Sequence, residues 1–265
     1  MNMPQSITSK ENPACKRVVK LSSDASHRKA QGVFVIEGLR LCYDAALSGV
    51  QLREVYFTRQ AGEKYSSEIE CILQNAKESY LTESRVFAKM SDTKSPQGII
   101  CVCGAPDLSY ESGKIDKGGS YIALEQISDP ANLGAIARTA EALGLSGMII
   151  QGGCDIWNPK ALRASMGAFF RLPVVKTDDM TGLVGDMRAR NMLALACVAD
   201  ADAEDIREIG NIKNGIIAVI GNEAAGISPG LAEMCDRRVT IPMNSRAESL
   251  NAAAAAAIVM WEIRR

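Results

Sequence analysis

The sequence contains a single histidine, His27, among its 265 residues. Histidine-based metal sites and serine–histidine–aspartate triads are therefore nearly excluded, because both need histidine beside other functional groups. The eight cysteines include no C-x-x-C pair, so neither a structural zinc site nor a thioredoxin-type redox site is indicated. Scattered cysteines are typical of small buried side chains in a reducing compartment. We predict that the protein holds no metal.

The sequence also lacks a long apolar run. The longest, rich in alanine, extends from Ala252 to Trp261 and is shorter than the ~20 residues that cross a bilayer. The first residues, "MNMPQSITSK", have no apolar core and do not resemble a signal peptide. These absences predict a soluble cytoplasmic protein that does not bind a membrane.

Overall charge gives little information, since the formal net charge of -1 provides no general attraction to nucleic acid. Local charge differs: residues 1–30 contain six basic side chains and two acidic ones. A solvated helical face and a phosphate-binding surface both produce such a pattern. Charge alone favours the solvated face.

The pattern of short apolar runs divides the chain into two halves. Residues 1–106 alternate strand-like runs such as "VFVIEG" and "QGIICVCG" with helical segments, one of them predicted at 63–78, which indicates a small α/β domain. Residues 107–119 are rich in glycine and polar residues and predict a linker. Residues 120–265 contain nearly continuous apolar runs, including "MLALACV" and "GIIAVIG", which are typical of a buried parallel sheet.

Polar residues follow three strands of the second half, where ligands bind in open parallel sheets. The first loop, "SDPANLGAIAR", contains Asn132 and Arg138 after a predicted helix cap at Asp129. The second loop, "GNEAAGIS", lacks the G-x-G-x-x-G spacing of a dinucleotide site, which disfavours a nicotinamide dehydrogenase. In the third, "IPMNSRAESLN", Ser249 is the predicted cap of the alanine-rich helix. Taken singly, each loop also fits an ordinary surface turn.

Three segments in this order, "DPANLGAIARTAEALG", "IGNEAAGIS" and "IPMNSRAESLNAAAAAA", resemble the motifs of the SpoU/TrmH family of RNA ribose 2′-O-methyltransferases, within the SPOUT superfamily. The resemblance covers about residues 120–265 and includes "NPKALRASMGAFFRLPV" between the motifs. The segments "SKENPACKRVVKL" and "HRKAQGVFVIEGLRL" resemble, more loosely, the ribosomal-protein-like substrate-binding domain that precedes many of these catalytic domains.

The resemblance implies a SPOUT α/β domain with a mainly parallel sheet and a trefoil knot, preceded by a small ribosomal-protein-like α/β domain. It implies S-adenosylmethionine as cofactor and a ribose 2′-hydroxyl of structured RNA as methyl acceptor, with 23S rRNA ahead of tRNA. It further implies a homodimer and leaves open whose pocket Arg138 serves. A catalytically inactive RNA-binding factor in ribosome assembly is the main alternative. Small alanine side chains would let the last helix approach the knot closely.

The resemblance also assigns site residues. The catalytic positions are Arg138, Asn132, Glu223, Ser249 and Asn251. The cofactor positions are Gly221, Ile241 and Leu250, with Met243 in the same pocket. With the family in view, the basic residues expected to contact RNA phosphates are Lys10, Lys16, Arg28, Lys29 and Arg40.

Three features of the sequence raise separate questions about local structure. Ala224 and Ser245 stand where the family commonly has glycine. The methyl group of Ala224 is acceptable only if the backbone there avoids positive φ. Glu37 and Gly38, in "IEG", are candidates to shape the turn after a strand, and the sequence leaves their role open.

Overall fold

The computed structural model describes residues 4–111, 113, 115–210, 212, 214–244 and 249–265. These form two compact units. The first comprises residues up to Asp107 together with Trp157–Phe170, and the second comprises Leu108–Ile156 and Arg171–Arg265. The predicted limits at 1–106, 107–119 and 120–265 stay a prediction, and the segment 157–170 belongs to the first unit although it falls within the predicted second domain.

The first unit contains a mixed sheet covered by short helices. Its strands are β1 (Gln5–Ile7), β2 (Val33–Glu37), β3 (Leu52–Thr58), β4 (Ala76–Thr82) and β5 (Ile99–Gly104). Its helices before residue 107 are α1 (Pro13–Ser23), α2 (Ala25–Gln31), α3 (Leu39–Leu47), α4 (Arg59–Lys64), α5 (Ser66–Gln74) and α6 (Ser84–Met90). The sheet order is β1-β4-β3-β5-β2, with β1, β4 and β3 parallel and β5 antiparallel to both β3 and β2.

The helix predicted at 63–78 is wrong over its last part. The helix α4 ends at Lys64, α5 ends at Gln74, and β4 begins at Ala76. Lys77 and Glu78 are exposed, so this strand does not show the apolar run that marks a buried strand. Pairing with β3, in register from Leu52 opposite Ala76, decides its conformation. Local propensity is overridden where a sheet offers a free neighbour.

The second unit contains a parallel sheet with helices on both faces. Its strands are β6 (Ser120–Glu125), β7 (Gly147–Gln151), β8 (Val174–Lys176), β9 (Leu193–Cys197), β10 (Glu204–Asp205), β11 (Ile216–Ile220) and β12 (Arg237–Thr240). Its helices are α7 (Pro130–Ala142), α9 (Met180–Ala189), α10 (Pro229–Met234) and α11 (Ala252–Arg264), whereas α8 (Pro159–Ser165) belongs to the first unit. The order is β10-β12-β9-β11-β6-β7-β8, with all pairs parallel. These two sheets confirm the predicted fold class.

The central strands of the second sheet bring their carboxyl ends to one edge. Ile220 at the end of β11 pairs with Leu124 of β6 on one side and with Cys197 of β9 on the other. The chain runs from β6 through β7 to β8, then crosses to β9, and β11 fills the place between β6 and β9. Such a reversal of strand order opens a crevice at the carboxyl edge. The loops after β6 and β11 meet there.

The alanine-rich helix α11 packs against α7 and against β6 and β11. Ala252 and Ala256 are buried, and Ala254 is exposed. Alanine at the buried positions allows close approach to the sheet. The trefoil knot depends on the path of the chain through 245–248, which includes Ser245 and lies outside the described residues, so the knot stays a prediction. Among the described helices, none has the length and apolar character of a membrane span.

Candidate active site

The first predicted loop leads from β6 into α7. The Asp129 carboxylate accepts a hydrogen bond from the Ala131 backbone N–H (3.0 Å), and Pro130 occupies the first turn, where it sacrifices no intrahelical hydrogen bond. This cap fixes the start of the helix and places Asn132 on its first turn. Arg138, further along the helix, is exposed, and its guanidinium has no hydrogen bond or ion pair with any described residue.

Glu223, in the loop after β11, joins that loop to the first one. Its carboxylate accepts hydrogen bonds from the Ser128 backbone N–H (3.1 Å) and hydroxyl (2.8 Å). It also accepts from the Asp129 N–H (3.3 Å) and from Asn132 Nδ2 (3.1 Å). Although burial acts to raise the pKa of Glu223, hydrogen bonds from Asn132 and Ser128 prevail and lower it to about 2. Glu223 is therefore a fixed carboxylate at neutral pH.

Asn251 connects the third loop to the same group of residues. Its Nδ2 donates to Asn132 Oδ1 (3.0 Å), and its own Oδ1 accepts from the backbone N–H groups of Ala253 and Ala254 (3.0 and 3.3 Å). Asn251 thus caps α11, and the prediction that Ser249 is the cap is wrong. The helix begins two residues later than the predicted cap required, so Ser249 has no free N–H of the first turn beside it.

A cavity of about 470 Å³ lies at the carboxyl ends of β9, β11 and β12, a volume within the usual range of small-ligand sites. All four predicted cofactor residues line it: Gly221, Ile241, Met243 and Leu250. Glu223 and Ser249 also reach its wall, while Arg138, Asn132 and Asn251 do not line it. In the described structure, residues of the second and third loops therefore line one cavity, and Arg138 is not part of its wall.

A second cavity, of about 890 Å³, opens at the other edge of the same sheet. Ser120, Asn191 and Asn214, at or just before the starts of β6, β9 and β11, lie in its wall. None of the predicted site residues lines it. The smaller cavity is therefore the candidate for the predicted cofactor site, because it lies where the polar loops meet.

Backbone constraints shape the loop between β11 and α10. A Cβ atom on Gly221 would lie 2.2 Å from the Gly226 carbonyl carbon, so only glycine fits there. Gly226 has φ of +69°, while Ala224 is not among the described residues with positive φ. The backbone at Ala224 therefore meets the condition under which an alanine is acceptable at this position.

Three residues outside the predicted set hold this loop in place. Asn222 Nδ2 donates to the Gln126 carbonyl oxygen (2.8 Å), and the mostly buried Glu125 accepts from the Ser228 N–H (2.8 Å) and hydroxyl (2.6 Å). Asn222, next to Glu223 in a glycine-rich turn, carries a sequence signal, since asparagine commonly folds its side chain back onto turn N–H groups. Glu125 and Ser228 carry no such signal, because their hydrogen bonds join residues that lie 103 positions apart in the sequence.

Cys154 lies close to the acidic residues of the site. Burial raises the pKa of its thiol to about 11, against the lowering effect of a backbone hydrogen bond, and the carboxylates of Asp155, Glu223 and Asp129 add smaller increases. A neutral thiol is a poor nucleophile. This excludes Cys154 as a thiolate at neutral pH. Among the described residues, no cluster of three or more histidine, cysteine or acidic side chains suited to a metal is present.

The basic residues predicted to contact RNA lie in the first unit. Lys10, Lys16, Lys29 and Arg40 are exposed. Arg28 is only 3% exposed. Its guanidinium donates to the carbonyl oxygens of Leu21 (2.6 Å) and Ser22 (3.3 Å) at the end of α1. The expectation that Arg28 contacts phosphate is wrong, because the charged group is used inside the fold to satisfy helix-end carbonyls.

Glu37 has a structural role in the turn after β2. Its carboxylate accepts hydrogen bonds from the hydroxyls of Ser91 and Thr93 and from the Asp92 N–H. Gly38 has φ of +102° and is the N-cap residue directly before α3. These contacts hold the segment after α6 against the turn and give Glu37 the structural role that the sequence left open.

Comparison with known proteins identifies both halves of the chain. Residues 119–261 match the model of the SpoU rRNA Methylase family, and residues 12–101 match the MRM3-like substrate binding domain. An uncharacterized tRNA/rRNA methyltransferase of Synechocystis is 31% identical over 98% of this chain and 93% of that protein. The 23S rRNA (guanosine(2553)-2′-O)-methyltransferase RlmP of Bacillus subtilis is 29% identical over 97% of this chain and 98% of its own length.

Solved structures agree with the sequence comparisons. The crystal structure of an AdoMet-bound rRNA methyltransferase from Sinorhizobium meliloti superposes with a TM-score of 0.86 and 28% identity, covering 98% of this chain and 97% of that one. The family predicted from the three motifs is thereby confirmed. The chain belongs to the SpoU rRNA Methylase family.

Proposed function

We propose that this protein transfers a methyl group from S-adenosylmethionine to a ribose 2′-hydroxyl of ribosomal RNA. One arrangement supports this proposal most. The cavity is lined by Gly221, Ile241, Met243 and Leu250, and Glu223 in the same wall is joined by hydrogen bonds to Asn132 and, through Asn132, to Asn251. The named activity of RlmP, a relative that matches nearly from end to end, supports the same reaction.

The residues of the cavity fit S-adenosylmethionine. Ile227, Leu250 and Val259 offer apolar walls for an adenine ring, and the turn from Gly221 to Gly226 offers backbone polar groups. The Glu223 carboxylate adds a negative charge at the wall, which suits a cation. The sulfonium of the bound cofactor supplies an activated methyl group, so the protein has mainly to align the acceptor and assist loss of its proton.

Arg138 is the proposed catalytic residue, and its chemistry limits its role. A guanidinium stays protonated in proteins and so does not act as a base. It binds the phosphate beside the target ribose and polarises the 2′-oxygen, while the proton passes to that phosphate or to water. Glu223 and Asn132 orient the acceptor ribose. Asn251 and Ser249 order the third loop, Ser249 from its place in the cavity wall.

A homodimer completes the proposed site. Ala254, Ile258 and Trp261 are exposed on α11 at spacings of four and three residues, and they form one apolar stripe. Large exposed apolar side chains in a row are typical of a protein–protein interface. Because the Arg138 guanidinium has no hydrogen bond or ion pair with a described residue of its own chain, a dimer with this stripe at its centre would let it serve the partner's cavity.

Replacing Trp261 with glutamate tests the dimer. Trp261 is 61% exposed in the single chain, so the change should leave the fold intact and yield a monomer in light scattering, with methylation reduced about tenfold or more, as expected for a central aromatic of an interface. Leu47→Glu is the matched control, since Leu47 is 63% exposed on α3 of the first unit. A Trp261→Glu protein that remains dimeric would contradict the proposed interface.

The RNA substrate is proposed to be rRNA, with phosphates bound by Lys10, Lys16, Lys29 and Arg40. Lys16 pairs with Glu11 at 2.5 Å, but both side chains are largely exposed, and such a pair is weak enough to yield to a phosphate. The match to a substrate binding domain over 12–101 supports RNA contact by this unit. As its relatives include bacterial rRNA methyltransferases, we further propose that the protein acts in the cytoplasm.

Incubation with methyl-labelled S-adenosylmethionine and either 23S rRNA or bulk tRNA tests the function. We expect label in one ribose of 23S rRNA, located by resistance of the adjoining phosphodiester to alkaline cleavage. Label in tRNA alone would identify the tRNA alternative. RNA binding without transfer to either RNA would support the inactive assembly factor and overturn the proposed reaction.

A further inference from the structure

Gln126, directly after β6, has an unusual backbone conformation. Its φ is +59°, and among the described residues only Met166 and Asn191 share a positive φ without being glycine. A glutamine in this region costs free energy that the surrounding structure has to offset, and such residues cluster at functional sites. Gln126 stands at the carboxyl edge of the sheet, two residues before Ser128, which donates to Glu223.

Hydrogen bonds on three sides hold Gln126 in this conformation. Its backbone N–H donates to the Gln151 carbonyl oxygen (2.9 Å) and extends the pairing of β6 with β7. Its side-chain Oε1 accepts from the Gly153 N–H (3.0 Å). Its carbonyl oxygen, turned by the positive φ toward the second loop, accepts from Asn222 Nδ2 (2.8 Å). A Cβ atom on Gly152 would lie 2.2 Å from Gln126 Nε2, so the neighbouring turn is shaped around this side chain.

Asn222 links Gln126 to the turn that lines the cavity. Its Oδ1 accepts from the N–H groups of Ala224 and Ala225 (2.9 and 3.0 Å), and its backbone pairs with Gly226 in both directions. The turn from 222 to 226 is closed by these bonds, and every residue in it lines the cavity. The Gln126 carbonyl therefore holds one end of the Asn222 side chain, and the other end of that side chain closes the turn that forms this part of the cavity wall.

We infer that Gln126 is a positioning residue for the cofactor, acting through Asn222 on the turn from 222 to 226. The inference rests on the proposed function, because it assumes that this cavity binds S-adenosylmethionine. A turn held in its binding conformation before the ligand arrives saves ordering free energy on binding. Gln126 therefore affects the affinity for the cofactor rather than the chemical step.

Gln126→Val tests the inference, because a β-branched residue strongly disfavours positive φ. We expect the Kd and KM for S-adenosylmethionine to rise about tenfold, the effect of about one lost hydrogen bond. The value of kcat at saturating cofactor should stay within about twofold, since only binding in the ground state is altered. Gln126→Gly permits the same φ and loses only the side-chain hydrogen bond to Gly153. Its Kd for S-adenosylmethionine should therefore lie between the values of the original protein and of Gln126→Val.

Asn191→Val is the matched control. Asn191 has φ of +64° but lies at the other edge of the sheet, just before β9. The same backbone strain is expected there, with comparable loss of stability in urea and no change in the KM for S-adenosylmethionine. An equal rise in KM for both variants would indicate a general loss of stability and overturn the inference.

Asn222→Ala gives a second route that leaves the end of β6 untouched, and it replaces Gln126→Val if that variant does not fold. We expect a similar rise in Kd, and no further rise when both changes are combined, because they break the same contact. Additive effects, or unchanged Kd values in variants of a protein that binds S-adenosylmethionine normally, would overturn the inference alone. Failure of the unaltered protein to bind S-adenosylmethionine would overturn the proposed function, and the inference with it.

Discussion

Arg138→Ala should lower methyl transfer by about three orders of magnitude, the upper range for removal of one charge-stabilising group. The affinity for S-adenosylmethionine should stay within about twofold of the original, because Arg138 is proposed to act on the acceptor ribose and does not line the cofactor cavity of its own chain. Single-turnover transfer to 23S rRNA gives the rate, and calorimetry gives the cofactor affinity. The contrast between the two measurements separates a role at the reacting ribose from a role in cofactor binding.

Two further variants make the result specific. Arg138→Lys keeps the charge but loses the paired N–H donors that hold a phosphate, so it should recover only part of the rate. Arg207→Ala removes another exposed arginine, 65% accessible at its side chain and at the other edge of the sheet, and should leave transfer unchanged. Full turnover by Arg138→Ala would refute the assignment.

Glu223→Ala should reduce both cofactor affinity and turnover, with a combined loss in kcat/KM of about 100-fold. The change leaves the donors of Ser128, Asp129 and Asn132 without their acceptor and unties the first loop from the second. Steady-state kinetics with varied cofactor would measure it. Glu233→Ala, an exposed glutamate of α10, is the control. Unchanged kinetics in Glu223→Ala would show that the loops are held without this carboxylate.

The same carboxylate should make stability depend on pH. The pKa of Glu223 is lowered to about 2 in the folded protein, against about 4.3 in an unfolded chain. Its contribution is therefore fully present above about pH 4.3 and is lost as the pH falls toward 2. Urea unfolding of the protein and of Glu223→Gln should differ in free energy at pH 6, and the difference should shrink below pH 4. A difference that is constant with pH would contradict this origin.

The sequence predicted the parts of this structure that depend on local pattern. Apolar runs marked β6, β9 and β11 because a parallel sheet buries both faces of its central strands. The Asp129–Pro130 pair marked the start of α7, and the loops that follow the strands marked the edge where the site lies. Family motifs then supplied the residues around the cavity, which periodicity alone could not select.

The sequence-based predictions were wrong at positions where contacts in the folded protein determine burial or capping. Arg28 has the same composition around it as exposed Lys29, and only the end of α1 beside it explains its burial. Ser249 and Asn251 are both good caps, and the start of α11 selects between them. Asn222 and Gln126 meet across 96 residues of chain, so no short window contains their relation. Sequence spacing carries no record of such pairs.

The contact of Asn132 with Glu223 spans 91 residues, and that with Asn251 spans 119. Contacts of such high sequence separation form slowly, because the entropy of closing a long loop has to be overcome before the contact is gained. The pairing of β11 with β6 spans a similar length of chain, because Ile220 lies opposite Leu124. The turns that follow these two strands therefore come together only when the sheet itself closes, so during refolding methyl transfer should not appear before the complete parallel sheet.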